Sequence, residues 1–306
     1  MRHYRGKKYR ARSRSHYCLV INSHACGYSR ERIARLINAV TGAGASYHVI
    51  ESDILKEVSF RIKRCLPKSP TGVIACGGDT TVNLVARHLI RRTCALGIYP
   101  LGRFNNIYRS LYGKPDYQQA THHILSGESR RIDQGLISGK FFLGSVGLGL
   151  IPEMYELIHK KRIPRFGIGW SRLAASAAAA VRSRKLSLKV DAFGFDVAPL
   201  TLNINLLPYT LGLSLVPACI DDDGKCEVTF DSGRGQAIFS GYIRQIFKGK
   251  YTYADDIRMY RGTKIAINPV TAGKIYLDGE LLDPPDEEVK IEIFPKRIRV
   301  FHSPEE

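Results

Sequence analysis

Apolar runs of strand length alternate with helical periodicities along the first half of the chain. Helical spacing of apolar residues predicts helices in Arg30–Thr41, from Ser52 or Asp53 to about Cys65, from Asp79 onward and in Asn105–Leu111. The buried strands predicted between them are Cys18–Asn22, Tyr47–Ile50, Gly72–Cys76 and Ala95–Leu101. Strands separated by helices of this length predict a parallel, doubly wound α/β sheet.

The pattern changes near Arg130, where helical spacing gives way to many short β-like runs. A hairpin is predicted at Ile132–Ile137 and Lys140–Gly144, and an alanine-rich helix at Gly169–Ser183. The further predicted strands are Leu186–Val190, Leu200–Leu206, Leu213–Val216, Cys226–Phe230, Lys264–Ile267, Lys274–Leu277, Val289–Ile293 and Ile298–Phe301. This half of the chain is therefore expected to form an all-β domain.

Composition fits two ordinary globular domains. The chain has 306 residues, of which 44% are hydrophobic, and domains usually span roughly 100–200 residues. No stretch approaches the ~18 uninterrupted apolar residues of a membrane-spanning helix, and no secretory leader is visible. Seven cysteines, without C-x-x-C spacing, favour buried thiols in a reducing compartment over disulfides or a metal cage.

Positive charge is concentrated in two segments without acidic residues. Met1–Tyr17 and Leu157–Val190 carry seven and nine basic residues, which together account for sixteen of the net +18. Such segments indicate a polyanionic partner: nucleic acid, an anionic membrane surface or a phosphorylated ligand. No nucleic-acid recognition motif accompanies them, so nucleic acid is not expected. A solvated basic face and a disordered tail are the alternatives, and an organelle-targeting peptide is a further alternative for the N-terminal segment.

Four motifs combine residue types that bind phosphate or transfer protons. At a predicted strand-to-helix junction, two glycines permit close backbone approach and the helix N-terminus attracts phosphate. The residues there are Gly77, Gly78, Asp79, Thr80 and Thr81. A tight turn with Asp79 as N-cap explains the same sequence without a ligand.

The second motif, Pro100–Asn106, follows the next predicted strand and should lie at the same edge of the sheet. Arg103 would contact phosphate there, and the asparagines would contact a base or ribose. An ordinary loop with Asn105 as a helix cap is the alternative.

The third and fourth motifs are acidic. Asp221-Asp222-Asp223-Gly224-Lys225-Cys226-Glu227 offers hard oxygen ligands suited to Mg²⁺ bound with phosphates, although a solvated turn is the commoner outcome. Asp278-Gly279-Glu280 lies between two β-like runs. A carboxylate there could accept a proton from an attacking hydroxyl, or simply occupy a hairpin turn.

Taken in order, the motifs resemble those of the diacylglycerol kinase catalytic-domain family, which includes sphingosine kinases and is distantly similar to NAD kinases. The family's GGDGT-x-N, P-L-G-T-G-N-D, R-x-I-D-x-G, D-D-G-x-L-D-V and D-G-E segments resemble Gly77–Asn83, Pro100–Asn106, Arg131–Gly135, Asp222–Val228 and Asp278–Glu280. The hairpin that follows the third segment resembles Phe141–Gly149. The resemblance extends from about Cys18 to near the C-terminus.

The resemblance implies a nucleotide-binding α/β domain at 18–130 and a β-sandwich substrate domain at 131–289, with the site in the cleft between them. Residues 290–306 would pack back on the first domain, and 1–17 would remain a disordered basic tail. The implied function is an ATP- and Mg²⁺-dependent lipid kinase, cytoplasmic and peripherally membrane-associated, that phosphorylates a diacylglycerol-like or sphingoid-like hydroxyl. The oligomeric state is left open.

Individual roles follow from the same resemblance. Asp278 would be the general base, with Glu280 beside it near the nucleotide. Asp222, Asp223 and Glu227 would hold Mg²⁺. ATP would be bound by Gly77, Gly78, Asp79, Thr80, Thr81, Asn83, Gly102, Arg103 and Asn105.

Several residues depart from the family pattern. Thr80 replaces the third glycine of the phosphate loop, Arg103-Phe104 replaces Thr-Gly, Asn106 replaces Asp, and Glu227 replaces Asp. The family's Asn-Pro-x-x-Gly is reduced to Asn22–Gly27. These departures motivate a second hypothesis, a non-catalytic lipid- or nucleotide-binding member. NAD kinase is a third hypothesis because it shares the GGD loop.

Overall fold

The computed structural model describes residues 15–52, 54–160, 169–231, 245, 250–270 and 273–303. The basic residues predicted as a tail up to position 14, and those at 161–168, lie outside the described residues. The described chain divides into two compact units. Unit 1 draws on Met1–Arg103, Lys114–Arg131 and Ile298–Glu306, and unit 2 comprises Phe104–Gly113 and Ile132–Arg297.

The described helices and strands are as follows. The helices are α1 (Arg30–Gly42), α2 (Leu55–Cys65), α3 (Asp79–Ala86), α4 (Asn106–Tyr112), α5 (Tyr117–Ser126), α6 (Leu150–Lys160) and α7 (Gly169–Ala180). The strands are β1 (His16–Ile21), β2 (Ser46–Glu51), β3 (Gly72–Gly77), β4 (Ala95–Pro100), β5 (Ser129–Ile137), β6 (Lys140–Phe142), β7 (Ser145–Gly149), β8 (Leu186–Val190), β9 (Phe193–Val197), β10 (Thr201–Asn205), β11 (Tyr209–Thr210), β12 (Leu213–Ser214), β13 (Cys226–Asp231), β14 (Ile257–Gly262), β15 (Lys264–Asn268), β16 (Ile275–Leu277), β17 (Glu280–Leu282) and β18 (Val289–Phe301).

Unit 1 is a parallel sheet flanked by helices. Its strands follow the order β2-β1-β3-β4, and the end of β18 adds to β4 in parallel through Val300 and Leu96. All six residues of both β3 and β4 are buried, as expected for strands covered on both faces. On α1, Ile33, Leu36 and Val40 form the buried face. This arrangement confirms the predicted doubly wound α/β domain.

Unit 2 is built from antiparallel strands. One sheet has the order β14-β13-β10-β7-β16-β17, and β15 pairs with β8 and with the first half of β18. Buried side chains of both groups share one core; they include Val146, Leu202, Ile204, Val228, Leu188, Val190, Ile265 and Ile291. Strands of two sheets that share a buried core form a β-sandwich, which confirms the predicted all-β class.

A second core in unit 2 holds α6 and α7. Met154 and Ile158 of α6 and Ala177 of α7 belong to one buried cluster with Phe104 and Tyr276. The sequence pattern did not predict α6, because Pro152 interrupts it; proline is tolerated there since it lies in the first turn. Helix α5 was also missed. No helix in the described part of the chain is long and apolar enough to cross a bilayer.

Several predicted boundaries are corrected. The N-cap of α2 is Ile54 and not Ser52, and the other predicted candidate, Asp53, lies outside the described residues. The N-cap of α3 is Gly78, so Asp79 does not cap that helix. The predicted tail overlaps β1, in which Tyr17 is buried. The last two predicted strands form the single strand β18, because the positive φ of Lys296, 53°, bends the chain without ending the strand.

The cysteine prediction is wrong for one pair. Cys18 and Cys65 are joined in a disulfide, whereas the sequence favoured reduced thiols. The other five cysteines are free, and Cys76, Cys94 and Cys226 among them are buried.

Candidate active site

Two glycines join β3 to α3 in unit 1. A Cβ atom on Gly77 would overlap the side chain of Thr81, which occupies that space. A Cβ on Gly78 would lie 3.0 Å from the Cα of Gly102, in the loop after β4. The two predicted phosphate-binding loops are therefore adjacent, and glycine at both positions allows their backbones to approach each other.

The N-terminus of α3 has no side-chain cap, because its N-cap residue is Gly78. The first N–H groups of a helix have no partner within the helix and lie at the positive end of its dipole. Within this first turn Asp79 and Thr81 are buried, whereas Thr80 is half-buried. Asn83 follows one turn later and is also half-buried. The first turn of α3 is thus suited to an anion such as phosphate.

A third loop packs against these two. The side-chain amide of Asn22 donates to the Thr81 hydroxyl at 3.2 Å, and its backbone N–H donates to Cys76 at 3.0 Å. The N–H of Gly27 donates to the Leu101 carbonyl at 2.8 Å. Asn22 was not among the predicted site residues. The remnant of the family's Asn-Pro-x-x-Gly pattern at Asn22–Gly27 was the sequence signal that could have identified Asn22 as a site residue.

The Pro100–Asn106 segment contributes to both units. Gly102 and Arg103, both half-buried, belong to unit 1, and Phe104 is the first residue of unit 2. Phe104 is buried in the core that holds α6, with its ring 6.4 Å from that of His159. Unit 2 therefore accommodates an aromatic ring where the family pattern has glycine.

The two asparagines of this segment are buried in unit 2. Asn105 has left-handed backbone angles, with φ 52°, and its side chain does not cap α4. Asn106 accepts a hydrogen bond from the N–H of Gly212 at 2.7 Å and donates to the Tyr276 hydroxyl at 3.3 Å. Asn106 therefore joins α4 to two other segments of the unit.

Asp278 is buried in the turn between β16 and β17 of unit 2, and its φ of 42° is left-handed. Asp and Gly are favoured in such two-residue hairpin turns. Its carboxylate accepts hydrogen bonds from three successive backbone N–H groups, at 2.8 Å from Leu143, 2.9 and 3.1 Å from Gly144, and 2.6 Å from Ser145. Charge-assisted bonds of this kind are among the stronger ones in proteins.

Gly144 makes this approach possible. A Cβ atom there would lie 2.5 Å from Oδ1 of Asp278, well inside contact distance. The neighbouring Gly279 accepts a hydrogen bond from the Tyr155 hydroxyl. Glu280 begins β17 and is exposed. The Asp-Gly-Glu motif therefore combines one buried, tightly bound carboxylate with one in solvent.

The carboxylates of the third motif are paired with basic side chains. Arg261, on β14, forms ion pairs with both Asp223 and Glu227, the latter at 3.0 Å. Asp222 lies 3.4 Å from the Lys296 ammonium. Arg261 belongs to no motif. The strand register, which pairs it with Glu227, brings it to this position.

Two buried carboxyl groups, those of Asp133 and Glu227, support the turn formed by the acidic motif at Asp221–Glu227. Asp133 accepts hydrogen bonds from Gly224 at 2.6 Å and Lys296 at 2.7 Å. Burial raises the pKa of Asp133, and these two bonds oppose the rise. Burial also raises the pKa of Glu227, against the effects of the Cys219 thiol and Arg261. The turn is therefore anchored from within unit 2.

These residues do not fit a dedicated magnesium site as they stand. A guanidinium group bridges Asp223 and Glu227, and an ammonium group pairs with Asp222. A divalent cation prefers several open oxygen ligands, so it would first have to displace Arg261. The assignment of Mg²⁺ to these three residues remains a prediction that the described arrangement does not favour.

The predicted site residues fall into two groups. Unit 1 holds Gly77, Gly78, Asp79, Thr80, Thr81, Asn83, Gly102 and Arg103, and unit 2 holds Asn105, Asp222, Asp223, Glu227, Asp278 and Glu280. Unit 1 places its loops at the carboxyl edge of a parallel sheet, where α/β proteins bind ligands. An α/β unit with a parallel sheet, joined to a β-sandwich, defines a class of two-domain proteins.

Family models identify the class more closely. The diacylglycerol kinase catalytic domain model matches residues 16–137, and the YegS C-terminal NAD kinase beta sandwich-like domain model matches 144–302. The chain belongs to the diacylglycerol kinase catalytic-domain family. It is 22% identical over 248 residues to a diacylglycerol kinase of Bacillus subtilis. These aligned residues cover 79% of this chain and 78% of that protein. A Staphylococcus saprophyticus diacylglycerol kinase is 23% identical over 247 residues, covering 78% and 79%.

Solved structures show the same fold. A diacylglycerol kinase from Bacillus anthracis matches with a TM-score of 0.71 at 18% identity, covering 95% of this chain and 97% of that one. An NAD kinase from Archaeoglobus fulgidus in complex with ATP matches with a TM-score of 0.53 at 12% identity, covering 94% and 93%.

Proposed function

We propose that this protein is an ATP-dependent lipid kinase that phosphorylates a hydroxyl group of a diacylglycerol-like lipid. The observation that carries the proposal is the loop after β3, where Gly78 lies against Gly102 and leaves the first turn of α3 without a side-chain cap. The acceptor class rests on the names of the relatives, and the sphingoid-like hydroxyl is the second acceptor to test.

The proposed reaction is a direct transfer. The lipid hydroxyl gives its proton to Asp278, its oxygen bonds to the γ-phosphorus, and the bond from that phosphorus to the β,γ-bridging oxygen breaks. ADP leaves with the electron pair. Such reactions are accelerated mainly by positioning and charge neutralisation. Mg²⁺, which accompanies ATP in kinases, would supply charge neutralisation when bound.

In this proposal most of the residues that bind the nucleotide belong to unit 1. Gly77, Gly78 and the first turn of α3, including Thr80, receive the phosphates, and Arg103 supplies positive charge. Asn83 and Asn105 support the nucleotide. The positive charge of Arg103 compensates for the loss of the third loop glycine, at Thr80.

Asp278 has two proposed roles in unit 2, as general base and as anchor of the Leu143–Ser145 segment. A carboxylate has about four lone-pair sites, and four short contacts from backbone N–H groups already surround it. A base must also receive the proton of the substrate hydroxyl within hydrogen-bond reach. The two roles therefore need separate readouts, turnover for the base and unfolding for the anchor.

Membrane association is proposed from the distribution of charge. A cavity of about 230 Å³ in unit 2 is lined by apolar residues such as Leu148, Leu186 and Leu202, together with Arg182, Arg184 and Lys274. Basic residues close to an anionic bilayer each contribute about 1 kcal/mol.

Deletion of 1–14 should weaken binding to anionic vesicles and leave binding to neutral vesicles unchanged. Equal binding of both proteins to anionic vesicles would contradict this proposal.

Two other functions are distinguished by the same assay. The NAD kinase hypothesis is favoured by the fold likeness to an ATP-bound NAD kinase. The non-catalytic hypothesis is motivated by Thr80 and Arg103. Purified protein is supplied with γ-labelled ATP, Mg²⁺ and, separately, diacylglycerol, sphingosine, monoacylglycerol or NAD. Label in diacylglycerol supports the proposal, label in NAD alone replaces it, and no label with measurable ATP or lipid binding supports a non-catalytic member.

A further inference from the structure

Three metal-ligating side chains meet in unit 1, away from the phosphate-binding loops. They are His16 and Cys18 of β1 and Cys65, the last residue of α2. One donor atom from each lies within 4.8 Å of the others, and within the described residues no other cluster of three or more His, Cys, Asp or Glu side chains does so. His16 starts β1, so the length of a six-residue strand, about 17–20 Å, separates it from the carboxyl edge.

The sequence pattern places these side chains on one face. Residues two apart in a strand point to the same side of a sheet, so His16 and Cys18 share a face. In parallel register, Ser46 of β2 pairs with His16, and His48 pairs with Cys18. Residues paired in this way also share a face. His48, which is exposed and is not part of the three-donor cluster, is therefore the candidate for a fourth ligand on this face.

The surroundings resemble those of a metal site. Cys18 is fully buried and Cys65 nearly so, while His16 is half-buried. The hydroxyl of Ser46 lies 2.9 Å from Nδ1 of His16. A polar partner on one ring nitrogen is usual for a histidine that ligates through the other.

The distance between the two cysteines also favours an ion between them. Their Cα atoms are 7.0 Å apart, just beyond the usual span of disulfides, roughly 4.4–6.8 Å. Two Zn–S bonds of about 2.3 Å hold sulfurs farther apart than one S–S bond of about 2.05 Å. A tetrahedral ion therefore suits the backbone separation better than a direct bond.

We propose that the reduced form of this chain binds one Zn²⁺-class cation through His16, Cys18 and Cys65, with His48 as the fourth ligand. External thiol opens the disulfide by exchange and leaves as its own disulfide. Each cysteine thiol then loses one proton, and two thiolates bind Zn²⁺ with the release of two protons. Two thiolates balance the charge of the ion, as in Cys₂His₂ sites. The site ties β1 and β2 to the end of α2.

The test uses full-length protein, reduced with a phosphine and freed of metal, and titrated with Zn²⁺ or Co²⁺. We expect one ion per chain, with the thiolate charge-transfer band and d–d intensity of tetrahedral Co²⁺. Zn²⁺ at about 100 times its Kd should raise Tm by about 5–10 °C. C18S, C65S and H16A should each weaken Zn²⁺ binding by about 100-fold or more, while C94S, a buried free cysteine outside the cluster, should not.

A measurement on the wild-type chain guards against variants that fail to fold. Zn²⁺ should protect Cys18 and Cys65, but not Cys26, from alkylation as read by peptide mass spectrometry. Unchanged alkylation, no uptake by the reduced chain, or uptake that survives in C18S/C65S would overturn the proposal. Unchanged affinity in H48A would remove His48 from the ligand set.

Discussion

Replacing Asp278 by Asn changes the charge and hydrogen-bonding pattern of a buried side chain while keeping its shape. The carboxylate accepts four contacts from the N–H groups of Leu143, Gly144 and Ser145. An amide keeps one acceptor oxygen and turns an NH₂ group toward the remaining donors. At least one buried N–H then loses its partner, because two donors cannot bond to each other.

The size of the effect follows from these contacts. Hydrogen bonds to charged groups contribute about 1.5–3 kcal/mol each, and an unsatisfied buried N–H costs about 1–3 kcal/mol. Allowing for local adjustment, D278N should lower the free energy of unfolding by about 2–4 kcal/mol and Tm by about 5–15 °C. If Asp278 is also the general base, kcat should fall by about 10²–10⁴-fold below the unfolding range.

The assay combines urea unfolding with turnover on detergent-dispersed diacylglycerol. The matched control is D231N, because Asp231 is equally buried in unit 2 and its carboxylate accepts a hydrogen bond from the backbone N–H of Thr201 at 2.8 Å. Asp231 has no proposed role in the reaction, so D231N should keep kcat. Stability of D278N within about 0.5 kcal/mol of wild type would refute the anchoring argument. A folded D278N with full kcat would refute the assignment of the base.

Three further outcomes are expected. G144A places a Cβ 2.5 Å from Oδ1 of Asp278, so it should cost about 1–3 kcal/mol of stability in urea unfolding; a neutral effect would mean that the carboxylate is not held there. R103A should weaken ATP binding in a calorimetric titration by about 10-fold or more if Arg103 contacts phosphate, and unchanged affinity would exclude that contact. Burial lowers the pKa of His88 from 6.5 to about 4, so the folded state binds this proton less well than the unfolded chain. The contribution of neutral His88 to the free energy of unfolding is therefore fully present above pH 6.5 and is lost as the pH falls toward 4. H88Q lacks this titrating group, so its urea midpoint should depend less on pH over that range than the midpoint of wild type.

Much of the fold follows from local sequence patterns. Strands β3 and β4 are continuous apolar runs, and the periodicity in α1 places Ile33, Leu36 and Val40 on one face. Such signals depend on residues a few positions apart, so the sequence alone carries them. Where a local signal was weak or interrupted, as at Pro152 in α6, the element was missed.

The candidate site follows from sequence only in part. The Gly77-Gly78 motif could be assigned to a strand-to-helix junction, since glycine pairs at such positions have few alternatives. The acidic motif could not be interpreted in this way, because its partner Arg261 lies on another strand, 34 residues after Glu227 in the chain. From the sequence, the carboxylates of this motif were expected to be open for a metal ion. In the fold, Asp223 and Glu227 are instead paired with the guanidinium group of Arg261.

The sequence by itself determined the order of the first four strands and of the helices between them, the class of each unit and the positions of the glycine and acidic motifs. Only the tertiary structure decided which groups meet. It brought Gly78 against Gly102, the Asp278 carboxylate to three backbone N–H groups, and Cys18 to Cys65. These contacts join residues far apart in the chain. They depend on strand register and on how helices cover the sheet, which short-range patterns of polarity do not specify.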